Sequence, residues 1–130
     1  MSTAARRILI IAAVSLAVAT GLGAYASHGL DSVLDARTLR SVLIAIDYQF
    51  YHSLGLLALG LLSNRHPERA WSISAALMVA GVLLFCGSIY LGAFGIGGLG
   101  GAAPVGGICF IGGWLVLAYG AFRNRTAVIG

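Results

Sequence analysis

The feature that most constrains this chain is the near absence of charge along most of its length. Only 9% of its 130 residues are charged, whereas 59% are hydrophobic, and the mean hydropathy is +0.95. A soluble domain carries about a quarter charged residues, so this chain cannot cover a surface that faces water. The composition therefore predicts an integral membrane protein that is surrounded by a lipid bilayer.

Four apolar stretches are long enough to cross a bilayer core, which takes roughly 20 helical residues. They cover about residues 8–27, 43–62, 71–93 and 102–122, and we number them spans 1 to 4. Pro104 falls in the first turn of span 4, where a missing N–H costs little. The pattern predicts an all-α protein in which residues 1–130 form a single membrane domain, an integral membrane four-helix bundle.

The basic residues indicate how the spans are oriented. All eight are arginines, and with four spans six of them fall on one side: Arg6, Arg7, Arg65, Arg69, Arg123 and Arg125. The opposite side has Arg37 and Arg40, offset by Asp31 and Asp35. The positive-inside rule then predicts that both termini are cytoplasmic. No basic stripe is interleaved with aromatic residues, so we expect no nucleic-acid partner.

The segment between spans 1 and 2 is the least hydrophobic part of the chain. Apolar residues recur in it at near-helical spacing: Leu34, Leu39, Val42, Leu43 and Ile46. Asp35 can cap a helix that begins at Ala36, and Arg37 and Arg40 occupy the other face. This pattern predicts an amphipathic helix on the outer membrane surface that continues into span 2.

The stretch "GAYASHGL", Gly23 to Leu30, closes span 1 and contains the small-x-small triplet of a signal peptidase site. The preceding arginines and apolar run complete the three parts of a signal peptide. The run is of spanning length, however, and small residues recur in two ladders along it: Ser15, Ala19, Gly23 and Ser27, beside Ala13, Ala17 and Gly21. Such ladders let helices approach closely in lipid. We therefore expect a retained span, with cleavage between Ala26 and Ser27 as the alternative.

Span 2 is unusual because it carries polar side chains at membrane depth. They lie in the stretch "AIDYQFYHSL": Asp47, Tyr48, Gln49, Tyr51 and His52. At about 100° per residue, Asp47, Tyr51 and His52 fall on one broad face together with Tyr48 and Gly55. Ionisable groups at depth are costly and usually face a bundle interior or a water-filled cavity. This cluster is the candidate functional site.

His28, at the end of span 1, is predicted to lie near Asp47 at the outer side. A pair of these two residues would fasten span 1 to span 2 in a structural hydrogen-bond network. The functional alternative is a path for protons or a metal that uses His28, Asp47 and His52. His28 can also interact with the C-terminal dipole of its helix, with Gly29 as a left-handed stop residue.

Other motifs indicate packing rather than chemistry. "GIGGLG", Gly95 to Gly100, matches a dinucleotide fingerprint, but it follows a membrane span and no acidic residue comes after it. We interpret it as a tight turn. Cys86 and Cys109 lie in apolar runs without a zinc spacing, and His66 is expected in a solvated loop. No metal or other cofactor is expected.

Three ordered stretches resemble a known family. The run "GAYASHGL" is similar to a Gly-Ala-Phe-Gly-Ala-His-Gly-Leu signature and keeps Gly23, Ala24, His28, Gly29 and Leu30. It departs from that signature at Tyr25, Ala26 and Ser27, where the last two exchange small residues for small ones. A Tyr-Gln-x-Tyr-His signature corresponds to Tyr48, Gln49, Tyr51 and His52. Later elements correspond to Gly87, Ser88 and Tyr90, then Pro104, Gly106 and Gly107, then Gly113 and Trp114.

On these residues the chain resembles the small bacterial membrane proteins of domain of unknown function 423, which are similar to the eukaryotic transmembrane protein 256. The resemblance covers most of the chain. It implies four spans and a place in a bacterial inner membrane, and it implies no particular activity. We assign seven residues to helix packing: Gly23, Gly29, Gly87, Pro104, Gly106, Gly107 and Gly113.

Three function hypotheses follow. The small-residue surfaces favour a non-enzymatic accessory or scaffold protein that packs with itself or with a larger membrane complex. The alternative is a small transporter or channel for protons, ions or a solute along the polar face of span 2. A lipid-modifying enzyme is a third hypothesis, but the sequence contains no nucleophile–base–acid set and no paired carboxylates.

Overall fold

The computed structural model describes residues 1–97 and 100–124, and four of its helices are long and apolar enough to cross a membrane. Their bounds are Thr3–His28, Ala36–Arg65, Arg69–Ala93 and Ala102–Arg123. The described residues contain no strand, so the predicted all-α class with four spans is confirmed. Arg125 of the predicted topology, and Gly98 and Leu99 of the glycine turn, lie outside the described residues.

Polar side chains cap the starts of spans 1 and 2. The hydroxyl of Ser2 accepts a hydrogen bond from the backbone N–H of Ala5 at 3.1 Å. The carboxylate of Asp35 accepts hydrogen bonds from the backbone N–H groups of Arg37 at 3.0 Å and Thr38 at 2.9 Å. Each cap satisfies N–H groups that a helix start leaves without intrahelical partners. The predicted capping role of Asp35 is confirmed.

The predicted amphipathic segment forms the first turns of span 2, because one helix of 30 residues runs from Ala36 to Arg65. Val42 and Ile46 are buried in a cluster with residues of span 1, whereas Arg37 and Arg40 are exposed. The segment is therefore amphipathic and packs on the bundle. Its position at an outer membrane surface stays a prediction.

The connection between spans 1 and 2 turns without a left-handed residue. Gly29 ends span 1 with φ −159°, and its N–H donates to the carbonyl of Tyr25 at 3.0 Å. A 3₁₀ turn, Leu30–Ser32, follows, and its Leu30 is fully buried. The left-handed stop predicted at Gly29 is wrong, because the chain continues directly into this second tight turn.

Span 1 packs lengthwise on span 2, span 3 packs on span 4, and span 2 also contacts span 3. The buried face of span 1 contains alanines at intervals of seven residues: Ala5, Ala12, Ala19 and Ala26. Small residues at this spacing allow two helices to approach closely. Of the two predicted ladders, the one with Ala13, Ala17 and Gly21 is exposed instead.

Glycines of span 4 allow close packing against span 3 at some of the predicted positions. A Cβ atom on Gly106 would collide with the backbone N of Phe85, and one on Gly113 would lie 3.0 Å from Cγ of Met78. By contrast, a Cβ atom on Gly107 would meet nothing within 4 Å, because that residue faces away from span 3. The packing role expected of Gly107 is therefore not seen.

The other predicted packing glycines are not in tight contact with a neighbouring span. A Cβ atom on Gly23 would lie 3.8 Å from Ile46, and one on Gly87 would meet only the carbonyl oxygen of Val82 at 4.0 Å. A Cβ atom on Gly29 would contact only Tyr25 of its own helix, with the ring at 3.3 Å and the carbonyl oxygen at 3.8 Å. Pro104 lies in the first turn of span 4, as the sequence predicts.

The starts of spans 1 and 3 and the ends of spans 2 and 4 lie at one end of the bundle. The backbone N–H of Ser2 donates to Oδ1 of Asn64 at 3.3 Å and joins the start of span 1 to the end of span 2. A cleft lined by Arg69 and Arg123 joins the start of span 3 to the end of span 4. We call this the arginine-rich end.

Candidate functional site

A chain of hydrogen bonds connects spans 1, 2 and 3 inside the bundle. Nε2 of Gln49 donates to the carbonyl oxygen of Ser15 at 3.0 Å and lies 3.3 Å from its hydroxyl. The hydroxyl of Tyr90 donates to Oε1 of Gln49 at 2.8 Å. The hydroxyl of Ser53 donates to that of Ser15 at 2.6 Å. We call these four residues the polar network.

The position of the polar network follows from helix geometry. Gln49 and Ser53 are four residues apart, so both lie on the buried face of span 2. Gln49 is near the middle of its 30-residue helix, where no water reaches a lipid-facing polar group. An unpaired amide would be costly there. The network satisfies both ends of the Gln49 side chain and holds spans 1 and 3 against span 2.

His52 lies beside this network in an aromatic cluster. Its ring stacks on Phe110 of span 4 with the centroids 3.5 Å apart and the planes 16° apart. Nδ1 lies 2.6 Å from the carbonyl oxygen of Tyr48, so the tautomer with a proton on Nδ1 donates to that carbonyl. Tyr48 stacks in turn on Phe85 of span 3 at 4.9 Å. The imidazole therefore acts as a packed aromatic group that connects span 2 with span 4, while Tyr48 connects span 2 with span 3.

The predicted polar face of span 2 is divided between two surfaces. His52 and Gln49 are 6% and 4% exposed, whereas Tyr51 is 59% exposed and Asp47 is exposed as well. Asp47 lies about 140° around the helix from His52 at roughly 100° per residue. The expectation that Asp47, Tyr51 and His52 line one interior face is wrong, because the buried face centres on Gln49 and His52.

The predicted pair of His28 and Asp47 is also wrong. Both residues are exposed, and in the described part of the chain neither forms an ion pair or a hydrogen bond with the other. His66, at the C-cap of span 2, is exposed, and its carbonyl accepts the indole N–H of Trp71 at 2.9 Å. The three histidines therefore lie in three separate environments.

The described residues contain no group of three or more His, Cys, Asp or Glu that could hold a metal ion. Cys86 and Cys109 are both free thiols. Cys86 is buried in the π-helical segment Val82–Cys86 of span 3, and its Sγ donates to the carbonyl oxygen of Ala45 at 3.2 Å. This thiol therefore links span 3 to span 2.

Sequence reasoning missed Ser53 and Phe110 and gave Ser15 only a packing role. The signal for Ser53 was its position four residues after Gln49 on the same helix face. Ser15 and Phe110 could not be found this way, because the rotation of spans 1 and 4 about their axes decides which side chains reach span 2.

Comparison with known proteins identifies a family of membrane proteins. The family described as "Protein of unknown function (DUF423)" matches residues 22–107. The chain belongs to this family. It is 35% identical over 119 residues to a UPF0382 membrane protein of Haemophilus influenzae, covering 91% of this chain and 95% of the relative.

Two further relatives span similar lengths. The chain is 34% identical to the UPF0382 membrane protein YwdK of Bacillus subtilis, covering 88% of this chain and 95% of the relative. It is 32% identical to the UPF0382 inner membrane protein YgdD of Escherichia coli, covering 92% of each chain. No solved structure matches the chain. The protein is therefore a multi-pass membrane protein of the DUF423 family.

Proposed function

We propose that this protein is a non-enzymatic accessory or scaffold subunit of the bacterial inner membrane. It packs with a second copy or with a larger membrane complex, and both of its termini are cytoplasmic. The grouping of arginines at one end of the bundle supports this orientation, and the name of the relative YgdD, an inner membrane protein, supports the location.

The observation that carries the proposal is an ionisable residue on an uncovered face. Asp47 lies on the surface of span 2, and in the described part of the chain it has no ion pair and no hydrogen-bonded side chain. Large side chains continue this face along the helix: Tyr51, Leu54 and Leu61, which are 59%, 51% and 57% exposed. We call these four residues the outward face of span 2.

The depth of Asp47 makes this exposure costly. Span 2 is about 45 Å long at 1.5 Å per residue, whereas the hydrocarbon core is about 30 Å thick. The apolar stretch 43–62 matches this thickness, which puts Asp47 about one turn, roughly 6 Å, below the outer boundary. A carboxylate at such a depth usually faces protein or water. A neighbouring protein that supplies a donor would satisfy it.

The geometry favours this function over a path for protons or ions. Such a path would need Asp47, Tyr51 and His52 to line one cavity, but His52 is stacked against Phe110 while the other two face outward. An enzyme would need a nucleophile or an acid–base pair at a cavity, and the polar network consists of an amide and three hydroxyl groups that bond to one another.

Photo-crosslinking in intact membranes tests the proposal. A benzoylphenylalanine placed at Tyr51 should crosslink to a second copy or to another membrane protein, because the outward face is covered there. The control places the same group at Tyr25, an aromatic residue of span 1 that is 49% exposed and outside the outward face. A probe at Tyr51 that yields only lipid adducts would contradict the proposal.

A matched pair of variants tests the role of the charge. Asp47→Leu should abolish the crosslink from a probe at Leu54, because the donor on the partner would no longer have the carboxylate of Asp47 to bind. Asp31→Leu removes an exposed carboxylate from the connection between spans 1 and 2 and should leave the crosslink unchanged. Equal crosslinking in both variants would exclude Asp47 as the recognition group.

A further inference from the structure

Spans 1 and 3 do not pack on each other along their length, and the space between them is a groove with span 2 as its floor. The groove has a volume of about 590 Å³, with Arg7 and Ile11 on span 1, Leu56 on span 2, and Val79 and Leu83 on span 3. It continues into a second volume of about 330 Å³ that shares the last four of these residues.

The groove is long enough to hold an acyl chain. It extends along span 1 from Ala4 to Val18, which is about 21 Å at 1.5 Å per residue. One leaflet of the hydrocarbon core is about 15 Å thick, half of the roughly 30 Å of the whole core. Most wall residues of the groove are aliphatic or small; Arg7 and Gln49 are the exceptions, and Ile11 and Leu83 are exposed along it.

A cavity with charged and hydroxyl-bearing residues in its lining adjoins the groove at the arginine-rich end. This head cavity has a volume of about 330 Å³ and shares Ala4 and Ser72 with the groove. Its other lining residues come from the starts of spans 1 and 3 and the end of span 2: Ser2, Ser63, Pro67, Glu68 and Arg69. This arrangement suits a lipid, because the acyl chain would lie in the apolar groove and the headgroup would lie in the head cavity.

Ser63 gives independent evidence that the head cavity binds a ligand. Its side chain is 4% exposed, and its hydroxyl is the buried side-chain polar atom in the described chain without a hydrogen-bond partner. Buried polar groups are usually paired, and an unpaired one needs an explanation. A ligand oxygen in the head cavity would accept a hydrogen bond from this hydroxyl.

The start of span 3 adds further donors to the head cavity. The N-cap residue Glu68 makes no side-chain hydrogen bond to the helix, so the first N–H groups of span 3 lack a capping partner. A helix start also carries a partial positive charge that favours anions. Arg69 in the head cavity and Arg7 in the groove exceed the charge of Glu68 by one, which matches one phosphate.

We propose that an anionic glycerophospholipid binds here, with its phosphate in the head cavity and one acyl chain in the groove between spans 1 and 3. The site is formed by one chain and does not depend on the partner that covers Asp47. Its failure would therefore leave the proposed function untouched, and the converse also holds.

Native mass spectrometry of the full chain tests this site with two probes of different mass, phosphatidylglycerol and phosphatidylethanolamine, supplied in equal amounts in detergent. The wild type should retain one phosphatidylglycerol in preference to phosphatidylethanolamine. Equal retention of the two lipids would overturn the proposal, because the net positive charge would then have no role.

Variants locate the site within the chain. Arg69→Gln should weaken phosphatidylglycerol binding by about tenfold, because Arg69 lines the head cavity and a hydrogen bond to a charged group is lost, and Ser63→Ala should weaken it less. Arg6→Gln is the matched control, because Arg6 is exposed like Arg69 but lines neither cavity. Equal effects of Arg6→Gln and Arg69→Gln would overturn the proposal.

A second measurement uses only the wild-type chain, so that misfolding of a variant cannot obscure the result. Phosphatidylglycerol with a diazirine in its acyl chain should label the groove, at Ile11, Val79 and Leu83, more strongly than Ile108 of span 4, which is 70% exposed. Uniform labelling, or a crosslink between two copies through the groove, would show that no lipid occupies it.

Discussion

The hydroxyl of Tyr90 donates a 2.8 Å hydrogen bond to Oε1 of Gln49 and joins span 3 to span 2. The other end of the same amide donates to Ser15 of span 1. One side chain therefore holds three spans together at the middle of the bundle. Because lipid offers no substitute partners, the network fixes the rotation of span 2 relative to its two neighbours.

Replacing the central amide should weaken the bundle. Gln49→Leu removes three contacts, and hydrogen bonds between membrane helices contribute about 0.6 kcal/mol on average and up to about 1.7 kcal/mol. We expect the free energy of unfolding in bicelles to fall by about 1–3 kcal/mol. Tyr90→Phe removes only one of these bonds and should cost less; an equal or larger loss for Tyr90→Phe would contradict a central role for Gln49.

Adjacent glycines of span 4 should respond oppositely to alanine. Gly106→Ala would force a Cβ atom into the backbone of Phe85, so it should lower the thermal midpoint strongly. Gly107→Ala meets nothing within 4 Å and should be neutral or stabilise by about 0.5–1 kcal/mol, because alanine loses less conformational freedom in a helix. Similar midpoints for the two variants would contradict the described register of spans 3 and 4.

The cap of span 2 should depend on pH. Hydrogen bonds from the backbone N–H and side chain of Thr38 lower the pKa of Asp35 below its ordinary value of 3.8. The cap therefore stabilises the helix start above pH 3.8 and is lost as the pH falls through the lowered pKa. Hydrogen exchange at the Thr38 amide should accelerate in that acidic range, after correction for the intrinsic rate.

Asp35→Asn is the control for this cap, since asparagine caps a helix without titrating. Its Thr38 amide should keep the same protection throughout the acidic range. An equal loss of protection in the variant and the wild type would assign the pH dependence to another group.

Span 1 should remain in the mature protein. Ser15 of span 1 accepts hydrogen bonds from both Gln49 and Ser53, and cleavage between Ala26 and Ser27 would leave the buried amide N–H group of Gln49 without this acceptor. We expect the intact mass of protein purified from membranes to include residues 1–26. A mass that corresponds to a chain beginning at Ser27 would exclude the four-span protein.

Hydropathy and charge were sufficient to predict the four spans, and Asp35 was sufficient to predict where span 2 begins, because these features depend on local sequence. Gln49 and His52 were found because polar side chains at membrane depth are rare. The sequence could not exclude Asp47 and Tyr51 from the interior face. That distinction depends on the rotation of span 2, which is set by the positions of Ser15, Tyr90 and Phe110 on three other helices.

The glycines of span 4 also show that the sequence does not reveal how a helix is rotated about its axis. Gly106 and Gly107 are adjacent and equally small, yet only Gly106 faces span 3. The π-helical segment Val82–Cys86 changes the helical phase of span 3 at this level. A regular period of 3.6 residues cannot predict such a change, so the sequence predicted a small-residue surface without identifying which residues form the contact.

The most direct test of the central claim is to count the protein chains in each native nanodisc. Such nanodiscs are extracted from the membrane together with the surrounding lipids. The proposed function predicts particles that hold a second copy or another membrane protein beside this chain, and loss of that neighbour in Asp47→Leu but not in Asp31→Leu. A single chain in every particle, unchanged by Asp47→Leu, would contradict it.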